Sequence, residues 1–246
     1  MADSTALNQI WKRLNETLCY QLLPQSSKLV ILDSSLTVKK ALALLIQNKI
    51  TYAPLLKNDV YAGMITVTDF ISLILALYHG NKDVNPILSD IKGDFKLSVN
   101  PMSSILLAAK SLLEYKLHRM PLVDSFDHHD TIVGVLDHYK ILSFIAKTCP
   151  LAISLSFTPQ SMQIGTFSDL YTITPTTSLL NVLNLFIEHN LSALPIVDEH
   201  NKVLDVLEKY DIMNLSRDGG YYNLEMLVED CIKRRESGFS GTFSVT

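Results

Sequence analysis

The chain has little that would tie it to nucleic acid, to a membrane or to catalysis. Its 246 residues carry 21 Lys and Arg against 25 Asp and Glu, a formal net charge of −4 with no basic run, so no surface is expected to neutralise a row of phosphates. Any phosphate binding is therefore local. Three cysteines, Cys19, Cys149 and Cys231, are odd in number and widely spaced, which suits neither a disulfide framework nor zinc. The N-terminus lacks a basic stretch followed by an apolar block, and the longest apolar runs, such as Ile71 to Tyr78, are too short to cross a bilayer. A cytosolic or nuclear protein is expected, with no membrane or nucleic-acid partner.

Catalytic patterns are missing as well. There is no Gly-rich phosphate loop followed by Lys-Ser/Thr, no nucleophile elbow, and no His/Cys/Asp set at triad or metal spacing. The chain is expected to be no enzyme, with no metal and no catalytic cofactor. What it does have is apolar substance, 48% hydrophobic against 19% charged residues, enough for one large core or two smaller ones.

It also has an internal repeat. Three segments share one order of elements: a short alternating strand, an amphipathic helix, a strand entered through proline, a second strand and a second helix. From Ala41, Ala108 and Val182 in the first helices to Pro54, Pro121 and Pro195, the separation is 13 residues each time (54−41, 121−108, 195−182). From those prolines to Asp69, Lys140 and Asp211 it is 15, 19 and 16, and the extra residues of repeat two fall in its hairpin tip, Ser125 to Asp130, where insertions are tolerated.

The spacing predicts α/β (α+β) units of β-α-β-β-α type. Ser34, Ser103 and Thr176 or Thr177 are expected as helix N-caps. The prolines, lacking a ladder donor, are expected as first residues of their strands or on an edge. The expected division is a helix and strand over 1–27, a repeat over 28–80, a connector over 81–95, a repeat over 96–149, a connector over 150–166, a repeat over 167–217, and a last part over 218–246. Leu7 to Cys19 is read as helix and Tyr20 to Pro24 as an extended strand. The last part is read as a helix from Leu224 to Arg235 and the opening strand, Phe239 to Thr246, of an incomplete fourth unit.

These units resemble the CBS domain. Ser26-Ser-Lys-Leu-Val, Asp33-Ser-Ser-Leu-Thr-Val-Lys-Lys-Ala, Gly63-Met-Ile-Thr-Val-Thr-Asp-Phe-Ile, Lys116-Leu-His-Arg-Met-Pro, Gln163-Ile-Gly-Thr-Phe, Leu191-Ser-Ala-Leu-Pro-Ile-Val-Asp-Glu and Tyr210-Asp-Ile-Met-Asn-Leu narrow the resemblance to the γ regulatory subunits of AMP-activated protein kinase, over roughly residues 17 to 246. The resemblance implies tandem repeats paired into a Bateman-type module. It further implies a non-catalytic, energy-sensing subunit that binds AMP, ADP or ATP. Its partners would be a catalytic kinase α subunit and a scaffolding β subunit, with residues 1–27 in partner docking.

In that family an Asp near the start of each repeat's second helix binds the adenosine ribose, which places the role on Asp69 and Asp211. Repeat two has Lys140 there, a point at which members of the family typically carry a basic residue and leave the ribose site vacant. The chemistry suits the assignment, since a carboxylate accepts two charge-assisted hydrogen bonds from a vicinal diol and lysine accepts none. His118 and Arg119 match the family's phosphate-contacting pair, with Lys140 a further cation, and Thr66, Thr68, Ser192 and Lys209 fall at other positions near the nucleotide. Each has a plainer reading: Asp69 and Asp211 as helix caps, Thr66 and Thr68 as caps or ligand contacts, Ser192 as a strand-entry residue, Lys209 as a surface charge. His128, His129 and His138 are read as solvated residues, with no third ligand at matching spacing.

Two departures from the family stand out. Thr51 occupies the place of a phosphate-binding arginine, and Tyr139 removes a cation beside Lys140. Both lower the expected phosphate affinity. A chain ending at Thr246 also lacks most of the fourth repeat, which would supply a ribose Asp and a basic pair of its own.

Overall fold

The computed structural model describes residues 2–26, 28–80, 87–90, 96–150, 158, 160–217 and 223–235. The expected strand at Phe239 to Thr246 lies outside them. Each repeat forms a helix, an antiparallel hairpin and a second helix, as the periodicity predicts. Repeat one consists of β1 (Leu32–Asp33), α2 (Val38–Gln47), β2 (Tyr52–Lys57), β3 (Val60–Thr66) and α3 (Val67–His79), preceded by α1 (Ala2–Glu16). Repeat two contains α4 (Ile105–Glu114), β4 (Arg119–Phe126), β5 (His129–Asp137) and α5 (His138–Thr148). Repeat three contains α6 (Leu179–Glu188), β6 (Ala193–Val197), β7 (Val203–Glu208) and α7 (Lys209–Arg217), followed by α8 (Val228–Ile232). Strands β1, β2 and β3 share one sheet. In the other repeats the first strand shrinks to a single parallel bridge, Val99 to Leu122 and Ile173 to Ile196.

The prolines do not open their strands. Pro54, Pro121 and Pro195 are each the third residue. The carbonyls of Pro121 and Pro195 accept from Val99 N and Ile173 N at 3.1 and 3.0 Å, so each proline nitrogen faces that one-bridge strand and no hairpin ladder bond is lost. The helix caps also move. They fall on Thr37, Ser104 and Ser178, where the Ser104 and Ser178 hydroxyls accept from Leu107 N and Asn181 N. Thr177 instead closes the preceding turn by accepting from Thr174 N at 3.0 Å.

Two further expectations are corrected. Residues Cys19–Leu22 wind into a 3-10 turn rather than a strand, because Cys19 N and Tyr20 N donate to Ser103 O and Pro101 O at 2.8 and 3.0 Å and leave no free edge. The last helix covers only Val228–Ile232. Leu224 and Met226 are drawn into pairing with the start of α6, their carbonyls accepting from Leu180 N and Leu179 N at 2.9 and 2.8 Å.

The chain divides into two compact units, Met1–Ile31 with Pro54–Met64 and Asp94–Gly165, and Leu32–Ala53 with Ile65–Gly93 and Thr166–Thr246. In the first, Leu14, Cys19, Ile105, Leu112, Met120, Leu122 and Leu136 form the core. The lengthened hairpin of repeat two is anchored here, where Asp130 accepts from Tyr61 N at 2.7 Å. Bonds from the Ser125 side chain and the Tyr61 backbone hold its carboxyl below the usual range. In the second unit α3 packs on α6 and α7, and α2 on α7, burying Leu45, Phe70, Ile71, Val182, Leu183 and Phe186. Cys19, Cys149 and Cys231 are free and buried. Burial pushes Cys19 up to about 11 and Cys231 up to about 12, which keeps both as unreactive thiols.

One backbone feature recurs in all three repeats. Eight residues after the aligned Ala41, Ala108 and Val182 stand Lys49, Lys116 and Asn190, each left-handed at φ 53°, 52° and 49°. The next residue's N–H reaches back in a Schellman closure: Ile50 to Leu45 O, Leu117 to Leu112 O and Leu191 to Phe186 O. A non-glycine residue is strained there. Lys116 is exposed, so Lys116→Gly is expected to stabilise the chain by about 0.5–1 kcal/mol, the relief of left-handed strain less the entropy of glycine. Urea unfolding checks this through a rise in midpoint at constant slope.

Candidate functional site

In the second unit the start of α3 gathers four of the residues singled out by sequence. Thr66 is the N-cap and Asp69 the third helical residue of a capping box. Oδ2 of Asp69 accepts from Thr66 N and from Thr66 Oγ1, both at 2.7 Å. Among the described residues its other oxygen, Oδ1, accepts no hydrogen bond, and the residue is half-buried. The capping role and an open acceptor thus coexist on one carboxylate. Beside it, Lys209 Nζ donates to Thr68 Oγ1 at 3.0 Å and lies 5.8 Å from the centre of the Phe186 ring. Burial lowers the Lys209 pKa and the Asp69 charge partly restores it. Lys209 is therefore a half-buried cation held against α3 rather than a solvated surface charge.

Backbone carbonyls three residues before the aligned prolines tie the second helices down. Thr51 O accepts from Val67 N and Ser192 O from Lys209 N, both at 3.1 Å. Ser192 itself is exposed. Its main chain, not its hydroxyl, makes the recorded contact.

Asp211 repeats the Asp69 geometry in part. Its Oδ2 accepts from Glu208 N at 2.8 Å, but the residue is only 8% exposed and its carboxylate is engaged on both oxygens. Arg235 Nε donates to Oδ1 and Nη2 to Oδ2, each at 2.8 Å, while Nη1 reaches Asp205 Oδ2 at 2.9 Å and Nη2 also bonds Val206 O. Burial pulls the Arg235 pKa down, and the bonds and charge of Asp211, then of Asp205, more than offset it, so it is raised. Arg235 and Asp205 were not foreseen as site residues. A signal existed: six residues before the ribose position, repeats one and two have Gly63 and Gly134, and repeat three has Asp205.

In the first unit, His118 and His138 meet edge to face with ring centres 6.2 Å apart. Arg119 opens β4 opposite Asp137. Asp137 caps α5 by accepting from Lys140 N at 2.8 Å, and Lys140 Nζ donates to Val135 O. The lysine therefore folds back onto the carbonyl five residues before it, and the helix start is capped by Asp137 instead. Tyr139 is exposed. Asp69 belongs to the second unit and His118 and Arg119 to the first. His128 and His129 lie at the exposed hairpin tip, His129 4.0 Å from Asp59. Among the described residues no cluster could hold a metal ion, and no helix is long and apolar enough to cross a membrane.

The CBS-domain profile matches residues 23–76, 88–147 and 164–218. The chain is 32% identical over 259 aligned positions to the 5'-AMP-activated protein kinase subunit gamma of Saccharomyces cerevisiae, covering 98% of this chain and 80% of that one. It is 31% identical to the human subunit gamma-3, covering 96% of this chain but 52% of the relative, so it spans about half that protein's length. Protein MJ1225 of Methanocaldococcus jannaschii superposes with a TM-score of 0.70 at 15% identity, covering 87% of this chain and 81% of that one.

Proposed function

Because this chain belongs to the CBS-domain family and, within it, to the γ subunits of AMP-activated protein kinase, we propose that it is a non-catalytic subunit that binds an adenine nucleotide. The ligand would be AMP, ADP or ATP, and the signal would pass to a catalytic α and a scaffolding β subunit in the cytoplasm or nucleus.

One observation supports this reading most: the open Oδ1 of Asp69 at the N-terminus of α3, with the Lys209 cation close by. A diol can bind that oxygen, and a helix start together with a lysine favours an anionic group. Thr66 and Thr68 frame the carboxylate. His118, Arg119 and Lys140, which belong to the other unit, are the proposed phosphate contacts, in keeping with the forked donors of arginine. Asp211 is the proposed ribose position of repeat three, and Ser192 is a further proposed contact of the nucleotide.

Calorimetric titration of the full chain with AMP is expected to show one nucleotide per chain, with micromolar or tighter affinity, and a matching rise in thermal midpoint. No heat and no stabilisation would overturn the proposal. Retained binding of α and β subunits under those conditions would instead mark a nucleotide-insensitive docking module.

A further inference from the structure

Arg235 lies 24 residues beyond Asp211, outside the three matched repeats, yet it makes the most extensive polar contact at any of the three ribose positions. We infer that the ribose position of repeat three is a guanidinium site, filled in cis by Arg235. On the reading of Asp211 as a ribose position, on which this rests, a nucleotide reaches that carboxylate only by displacing the arginine.

Three independent features converge. The first is occupancy. Nε and Nη2 address Oδ1 and Oδ2 of Asp211 side-on at 2.8 Å, so neither oxygen is left open to a vicinal diol as Oδ1 of Asp69 is. The Arg235 and Asp211 side chains are 8% and 9% exposed, so water has little room to share the carboxylate.

The second is composition. Asp205 stands where repeats one and two have glycine, and its Oδ2 takes Nη1 at 2.9 Å. A second carboxylate beside the first would repel an anionic nucleotide. It suits a planar cation with five donors.

The third is the repeat itself. Val206 and Val135 each stand five residues before the ribose position, and each carbonyl accepts from a cation, Arg235 Nη2 in repeat three and Lys140 Nζ in repeat two. Repeat two carries its cation on the ribose residue, and repeat three imports one onto an intact aspartate. The same place is filled both times.

The arginine is delivered by a fixed segment. Val228 N and Glu229 N donate to Thr177 O and Pro175 O, both at 3.0 Å, and Val228 and Cys231 are buried. Little freedom is lost in seating the guanidinium, so an entering ligand competes with a preorganised group.

Chemical rescue tests the site without nucleotide. Arg235→Ala is expected to lower the thermal midpoint of the full chain, and millimolar methylguanidinium to restore part of the loss while leaving wild type unchanged and while an equal concentration of sodium chloride does nothing. If that variant does not fold, Arg235→Gln serves in the same assay. In the Asp69→Ala background, where the repeat-one site is weakened, adding Arg235→Ala is expected to tighten AMP binding by about tenfold or more, and Asp211→Asn should abolish the gain. Absence of rescue, or weaker AMP binding after removal of Arg235, overturns the inference. Rescue without AMP binding in any variant would leave the guanidinium site standing and refute the nucleotide reading instead.

Discussion

Asp69→Ala is expected to weaken AMP binding about a hundredfold. A charge-assisted hydrogen bond contributes roughly 1.5–3 kcal/mol, and a ribose diol makes two to one carboxylate. At about 1.4 kcal/mol per decade, even the lower figure gives two decades. The substitution also removes the capping box, since Oδ2 accepts from both the N–H and the hydroxyl of Thr66, and that costs about 0.5–2 kcal/mol of stability. The two effects separate by choice of ligand. Wild type should discriminate against 2',3'-dideoxy-AMP by about the factor that Asp69→Ala loses on AMP, and the variant should treat both ligands alike. Asp69→Asn, which keeps an oxygen for the cap, should fall between. A variant that binds both ligands as wild type does would reduce Asp69 to a helix cap.

How much of this was legible in the sequence depends on how the information is carried. The 13-residue interval from helix to proline placed three helices and three hairpins, because a strictly kept register leaves little freedom for the elements between. Asp69, Lys140 and Asp211 followed from the shared order of elements, since their distances from the prolines vary with hairpin length. Main-chain roles escaped. Thr51 O and Ser192 O hold the second helices, and a carbonyl has no side-chain signature, so Thr51 read only as a missing arginine.

Cap positions slipped by one to three residues because several Ser and Thr stand together before each helix, and only the turn geometry decides which hydroxyl faces the free N–H groups. The 3-10 turn at Cys19–Leu22 depends on acceptors about 80 residues away, at Pro101 and Ser103. Arg235 escaped because it lies outside the periodic part. Asp205 in place of glycine was the visible trace of its site.

Removing Arg235 alone should be the most damaging substitution of a charged side chain in the second unit. Asp211 would remain at 9% side-chain exposure and Asp205 at 24%, with no cation between them. Breaking a buried pair from one side costs about 3–5 kcal/mol, because a charge is left without a partner or water. For a chain of this size about 3 kcal/mol corresponds to a midpoint lowered by roughly 6–12 °C. Arg235→Met is the suitable probe, as it keeps much of the buried volume.

The measurement that separates charge from packing is the cycle with Asp211→Asn. The amide can still accept from Glu208 N, so the cap survives while the stranded charge disappears. Arg235→Met with Asp211→Asn should therefore be more stable than Arg235→Met alone, a coupling that pure loss of packing cannot produce. Salt gives a second check. The exposed Lys233–Glu229 pair, at 3.6 Å, should contribute less as ionic strength rises, whereas the penalty of Arg235→Met should persist in about 0.5 M salt, because buried charges are poorly screened. Equal stability of the single and double variants would mean that Asp211 is solvated once the arginine leaves. The repeat-three carboxylate would then be open to ligand at no more cost than Asp69.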